Sequence, residues 1–395
     1  MPPHTDDLAT RVTQLCLRGR FDPSALDAAR KLASGSDFDW AAWLDAVRAQ
    51  ALAPLLYHIL CGRAIMPAAI EEGLQVAYFE NARDNALRFH ELGRVLRHLA
   101  ATGVQVVLLK GAALAETVYH DIAARPMGDL DLLVQREDVM PALGALSELG
   151  YTPTHAEAFA GVTLDFENEV QLLKPGPVDT LIEIHWSLLN SPHYQHKLPM
   201  AWFWESALPV QVEGGTALAL GPEALLLHLC AHLALHHGSS GARWLHDVAE
   251  VVYGFRDRLD WEQVLTRAQA WDLVLPVQQV LGRVALDWQA PIPGGIQQRL
   301  SALQPSPAEM RVNAWLTAPA RPVAQRFWAD LASMPAWRDR LRYGWSSLFP
   351  SASYMRQRYG ISHLLLLPLA YPYRWLLGVR GAVSVLARPD DIGES

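Results

Sequence analysis

Cysteine is scarce in this chain. Three residues in 395, Cys16, Cys61 and Cys230, stand far apart in apolar surroundings. They form neither a disulfide framework nor a metal-binding pattern, and they suit a reducing compartment. Positive charge is also lacking. The formal net charge is −8, which argues against general binding to a nucleic-acid duplex, since that requires a basic face. The one arginine-rich stretch is 336–358. No uninterrupted apolar run reaches the roughly 20 residues that span a bilayer. The N-terminus carries Asp6 and Asp7 and no apolar signal-peptide core, so a cytoplasmic protein is expected. What remains is half hydrophobic and about one-fifth charged, with 51% and 19% of residues in those classes. That is a globular composition, long enough for two or three packed units.

The most informative segment is Val104 to Val134, VQVVLLKGAALAETVYHDIAARPMGDLDLLV. An apolar strand-like run, 104–109, leads through Lys110-Gly111 into a small-residue helical pattern. After Arg125-Pro126 comes Gly128-Asp129-Leu130-Asp131 and a second apolar run. Side chains alternate along a strand, so Asp129 and Asp131 point to the same side. Folding has no use for two adjacent repelling carboxylates. A divalent cation does, and hard oxygen ligands on a rigid edge suit Mg²⁺ or Mn²⁺ held together with substrate phosphates. Lys110-Gly111 stands where a strand turns into a helix, a place that favours an anion. Gly111 allows close backbone approach and Lys110 adds a point charge.

A phosphate cradle followed by Asp-x-Asp on the next strand resembles the polymerase-β-like nucleotidyltransferases. Those usually carry Gly-Ser at the turn, where this chain has Lys-Gly. Leu108 to Gly111, Tyr119, Arg125 and Asp129 to Val134 resemble, in this order, the family described as uncharacterised nucleotidyltransferases. The family's E-I-H-W pattern matches Glu183 to Trp186, and its His-x-x-x-His and W-L-x-D elements match His232, His236 and Trp244 to Asp247. The resemblance implies an α+β fold in which a small mixed β-sheet core is embedded in a mostly helical protein. It implies transfer of a nucleoside monophosphate from an NTP to a small-molecule, sugar or peptide acceptor in a biosynthetic pathway. Asp129, Asp131 and Glu183 would be the metal-binding and catalytic residues, and Lys110, Gly111, Arg125 and His185 would hold the nucleotide. Arg125 would steady the triphosphate or pair with Asp129. The competing class is an inactive nucleotide-binding or scaffold module of a biosynthetic complex.

Helical spacing runs through 1–100, strands dominate 101–222, and helices return over 223–300 and 301–395. Strands are expected at 104–109, 129–135, 169–174 and 180–186, with hairpins and loops over 187–222. The stretches 39–60 and 260–281 echo one another. Each opens on an Asp-Trp pair in which the aspartate is placed to cap a helix.

On the helix after Glu223, His228, His232 and His236 recur every four residues, with His237 beside them. Three readings stand: His232, His236 and Asp247 line the cleft, they form a buried His–Asp network, or they hold zinc. The stretch 363–385 is the most apolar. Pro368, Pro372, Arg374 and Arg380 interrupt it, so it reads as a docked helix pair. Leu364 to Leu367 and Trp375 to Leu377 are then expected to be buried against the helical body or an oligomer partner. The minority reading is a membrane-surface or protein contact through 361–386.

Overall fold

The computed structural model describes residues 5–35, 38–159, 162–318, 323–334 and 336–386. Its centre is a mixed seven-stranded sheet: β1 (Val107–Leu108), β2 (Asp129–Leu133), β3 (Thr152–Pro153), β4 (Glu169–Lys174), β5 (Thr180–His185), β6 (Leu208–Val212) and β7 (Gly215–Ala219). They lie in the order β3-β4-β5-β2-β1-β7-β6. An α+β fold is therefore present, with helices before, between and after the strands.

Alternation along the central strands separates two faces. Leu130 and Leu132 of β2, Ile182 and Ile184 of β5 and Leu172 of β4 point into one buried cluster. The 34-residue helix Ala68–Ala101 covers that face. It starts behind the extended Pro67 and presents Phe89, Leu92, Leu96 and Leu99, at three- and four-residue spacing, to the sheet. The helix Val139–Glu148 completes the layer with Val139, Ala142 and Leu146. Each such leucine or phenylalanine removed from water contributes about 1.5–3 kcal/mol. The opposite face of β2 and β5 carries the acidic and histidine side chains.

The first apolar run is paired as a strand only at Val107–Leu108. Its flanks still hydrogen-bond to the sheet, Leu218 N–H to Val106 O and Leu109 N–H to Asp131 O. The stretch 187–222 contains a hairpin that extends the sheet. Its turn places Glu213 and Gly214 at φ 47° and 74°, the left-handed pair that a two-residue hairpin turn requires.

The echoing stretches fold alike. Asp39 caps the helix Trp40–Ala49 by accepting from the backbone N–H groups of Ala41 and Ala42, and Asp260 caps Trp261–Ala270 by accepting from that of Gln263. Each first helix ends near a residue of positive φ at the same place in the module, Ala51 at 53° and Asp272 at 58°. A second helix follows, Ala53–Leu60 or Val274–Asp287. Both modules feed one continuous apolar cluster, which also contains the inner side of the histidine helix Pro222–His237.

Burial of the C-terminal apolar residues against the chain's own helical body is corrected. Leu365 is 91% exposed and Leu376 68%, and Leu366, Trp375 and Leu377 are exposed as well, while Leu367 is only partly covered. The side chain of Leu364 lies outside the described residues. The helix Leu367–Leu386 is tied to the helix Trp337–Leu348 along one edge. Trp375 Nε1 donates to Leu348 O at 2.8 Å, and Tyr371 donates to Pro350 O at 3.0 Å. The helices Val323–Ser333 and Ala352–Tyr359 also pack on Leu367–Leu386, and the leucines above remain on the water side. No helix in those residues is long and apolar enough to cross a membrane.

Candidate active site

β2 and β5 run parallel in a register that pairs Asp129 with Leu181, Asp131 with Glu183 and Leu133 with His185. Residues paired across a ladder point to the same face, so Asp131 and Glu183 are neighbours about one strand spacing apart. The antiparallel β4 adds Gln171 opposite Glu183 and Glu169 opposite His185. The result is a polar patch built on three backbone ladders.

The side chains close on one point. Lys110 Nζ lies 2.6 Å from Asp131 Oδ1 and 3.8 Å from Glu183 Oε2. His185 Nε2 lies 3.0 Å from the same Asp131 oxygen and 3.3 Å from Glu183 Oε2. Its other nitrogen stands 3.3 Å from Glu169 Oε2. Gln171 Nε2 donates to Glu183 Oε1 at 2.7 Å, fixing that carboxylate from behind. Asp131 is 1% exposed. Burial acts to raise its carboxyl, but Lys110 and His185 outweigh that and hold it far below the ordinary carboxylate range. Burial likewise acts to lower His185, and its bonds to Asp131 and Glu183 reverse this, lifting the imidazole to about 9.

Asp131, Glu183 and His185 offer ligand atoms that all lie within 4.8 Å of one another. Two carboxylate oxygens and an imidazole suit a hard to borderline divalent ion such as Mg²⁺ or Mn²⁺. The ammonium drawn onto Asp131 shows how strongly this point favours a cation. Asp129, one pleat earlier, is half-buried and outside that compact group. Burial raises its carboxyl, and Asp131 adds to the rise.

Lys110 reaches this point through a strained bend. Leu109 is extended, and Lys110 takes φ 44°, left-handed for a residue with a side chain, at a cost of about 1–2 kcal/mol. A short helix, Lys110–Leu114, and a π turn, Ala115–Tyr119, follow. The wide turn directs the Tyr119 hydroxyl to Asp247 Oδ1 at 2.8 Å.

Arg125 goes to the same carboxylate. Its Nε and Nη2 donate to Asp247 Oδ1 and Oδ2 at 2.9 and 2.8 Å, a buried two-pronged pair. Asp247, not Asp129, is therefore the carboxylate that Arg125 bonds. Asp247 serves this Arg–Tyr network rather than the histidines. Asn85 of the long helix donates to Ile122 O at 2.6 Å and Arg125 O at 2.9 Å, which pins the loop ahead of β2. Gly111 is shaped by the same network. A Cβ there would come 2.6 Å from Arg125 Nη1 and 2.8 Å from Met127 Cγ.

The histidines form a ladder. The rings of His228 and His232 are 6.0 Å apart and those of His232 and His236 4.9 Å. His232 Nε2 and His237 Nε2 meet at 3.2 Å, and His237 stacks on Trp244 at 3.8 Å. His236 is exposed at the open end. Among the described residues these histidines form no group of three metal ligands, so the zinc reading is not carried forward.

The sequence placed His228 on the histidine helix without giving it a site role, and it gave none to Arg243. His228 is buried, and neither ring nitrogen has a hydrogen-bond partner among the described residues. Burial and then Lys110 push it down to about 3, with Asp131 and His185 also acting on it. Arg243 is half-buried and packs over the Trp244 ring at 5.1 Å. Burial lowers its guanidinium, and Arg125, Asp247 and Asp129 all act on it. Its position immediately before the Trp-Leu-x-Asp element was the available signal.

No curated protein matches the chain. Residues 36–286 match the profile of a family described as uncharacterised nucleotidyltransferase, a span that contains the acidic patch, the Arg125–Asp247 pair and the histidine ladder, and the chain belongs to that family.

Proposed function

We propose that the protein transfers a nucleoside monophosphate from an NTP to an acceptor hydroxyl or phosphate and releases pyrophosphate. The acceptor is a small molecule, sugar or peptide of a biosynthetic pathway. The observation that carries this reading is the register of β2 on β5, which sets Asp131 beside Glu183 with His185 and Lys110 closing the point. Asp131, Glu183 and His185 would hold Mg²⁺ or Mn²⁺, with Asp129 close by on the same strand. A divalent ion so held would polarise phosphoryl oxygens and lower the cost of charge that builds up on transfer.

The chain's own residues do the rest. Lys110 supplies a point charge to the triphosphate. Arg243, whose guanidinium has no carboxylate partner among the described residues, takes the triphosphate-steadying role that the sequence suggested for Arg125. Arg125 and Asp247 brace the loop that carries Lys110 and the strand that carries Asp129. Gln171 and Glu169 orient Glu183 and His185. His228, with both nitrogens unpartnered among the described residues, lines the acceptor side and exchanges a hydrogen bond with the acceptor.

The test is thermal unfolding of the full chain with each of the four NTPs, with and without Mg²⁺ or Mn²⁺. A ligand of the native state raises its stability by mass action. Metal-dependent stabilisation by at least one NTP, lost in Asp131→Asn, supports the reading. Equal stabilisation of wild type and Asp131→Asn overturns it. Pyrophosphate release on adding candidate acceptors then separates an enzyme from a nucleotide-binding module.

A further inference from the structure

The exposed apolar side chains near the C-terminus form stripes. On the helix Trp337–Leu348, Trp337, Leu341, Trp345 and Leu348 recur at spacings of four, four and three, and all are exposed, Trp345 by 67%. On the helix Leu367–Leu386, Leu369, Tyr373 and Leu376 repeat the pattern, and Leu366 precedes them. Aromatic contacts join the two stripes. Phe349 meets Trp345 at 4.5 Å and Trp375 at 5.3 Å, ring centre to ring centre. One continuous surface of leucine, tryptophan and tyrosine results, larger than a water-facing protein normally leaves open.

Its charge identifies the occupant. Between residues 336 and 380 the chain has seven arginines and a single acidic residue, Asp339, although the whole chain has a net charge of −8. Arg338, Arg358 and Arg380 are exposed. A second copy of this surface would set arginines against arginines, because a two-fold interface pairs each patch with itself. A water-facing role leaves the tryptophans unexplained. An apolar stripe with tryptophan and tyrosine beside arginines matches the boundary of an anionic bilayer, where apolar side chains enter the acyl region and arginines meet lipid phosphates.

We propose that the face built by the helices Trp337–Leu348 and Leu367–Leu386 docks peripherally on membranes that contain anionic phospholipid. This region also packs on the catalytic core. Ser351 N–H donates to Ala158 O at 3.0 Å and Gln357 accepts from the backbone N–H of Ala156 at 2.6 Å, while Phe166, Met334 and Tyr343 share a small apolar cluster. Docking would therefore hold the acidic patch at the membrane surface without a spanning segment.

The test is co-sedimentation of the full chain with phosphatidylcholine vesicles, with and without phosphatidylglycerol, at low and high salt. Expected is pelleting with the phosphatidylglycerol vesicles, weakened by salt. Trp345→Ser with Leu376→Ser should abolish it. Arg338→Gln and Arg358→Gln should each weaken it roughly fivefold, the contribution of one arginine near an anionic surface. All four substitutions lie away from the acidic patch, so thermal stabilisation by metal and NTP checks that each variant is folded. Three results overturn the proposal: no pelleting of the wild type, equal pelleting with both vesicle types at every salt concentration, or a dimer seen by light scattering that Trp345→Ser disperses while vesicles are ignored.

Discussion

Gly111 has no side chain where Arg125 needs the space: a Cβ would stand 2.6 Å from the guanidinium. The glycine of the Lys-Gly turn thus answers to a packing demand from inside the protein. Gly111→Ala should displace Arg125 from Asp247 and destabilise the fold by about 1–3 kcal/mol, the usual range for overpacking. Urea denaturation measures this. A variant as stable as wild type that had lost only nucleotide binding would return Gly111 to the phosphate-contact role.

Asp247 accepts two hydrogen bonds from Arg125 and one from Tyr119 in a buried setting. Removing one partner of such a pair leaves a buried charge uncompensated and costs roughly 3–5 kcal/mol. Asp247→Asn and Arg125→Met should each show a loss of this size in chemical denaturation, and the two losses should be far from additive in the double variant. Additive losses would mean that the two side chains are not coupled.

The two aspartates of the Asp-x-Asp pair should respond in opposite directions. Asp131 is the partner of Lys110 and His185, so Asp131→Asn should cost roughly 3 kcal/mol in the metal-free protein as well as cation binding. Asp129 is held above the ordinary carboxylate range by burial and by Asp131, so Asp129→Asn should raise stability slightly. Thermal melts without metal distinguish them. Stabilisation by both substitutions would contradict the pairing of Asp131 with Lys110.

Lys110→Ala should weaken ATP binding far more than adenosine binding, since the ammonium is proposed to meet phosphate charge. Calorimetry with the two ligands decides the point. Equal losses would make Lys110 only the internal partner of Asp131.

Acid should weaken the histidine helix before it reaches the carboxylates. His228 is pushed from 6.5 down to about 3 by burial and then by Lys110, and His232 falls well below its ordinary value for the same reasons. In that window the unfolded chain binds protons that the folded chain refuses, so stability must fall as pH drops below about 6.5, by up to about 1.4 kcal/mol per pH unit for each histidine. Lys110, Asp131, His185 and His236 also act on His228. Urea melts between pH 7 and 5 should show a shallower slope for His228→Gln than for wild type. Identical slopes would show that His228 is protonated in the folded state.

The central strands were legible because alternation separates Asp129 and Asp131 from Leu130 and Leu132, and Glu183 and His185 from Ile182 and Ile184. The β6–β7 hairpin was not read as part of the sheet. Pro209 and Gly215 weaken its strand pattern; Pro209 is tolerated because β6 is the edge strand, and Gly215 because it directly follows the hairpin turn. Tyr119 and Arg125 were recognised as motif residues, yet their common partner lies more than 120 positions further along the chain. Nothing local reveals such a pair. The C-terminal helices were expected to be covered because water is a poor neighbour for leucine. That reasoning identifies a surface that must be covered and leaves open whether the cover is protein.

The in-register pairing of β2 with β5 gives the site a characteristic fragility. Asp131 and Glu183 are held beside each other by main-chain hydrogen bonds, so their separation is insensitive to conservative changes in the surrounding core. A single-residue insertion or deletion that slipped one strand by one place would turn its carboxylate into the apolar layer and bring a leucine or isoleucine to the cation point. The chain should therefore accept many substitutions around β2 and β5 but almost no change of length within either strand, and length variation should be confined to the connection between residues 134 and 168.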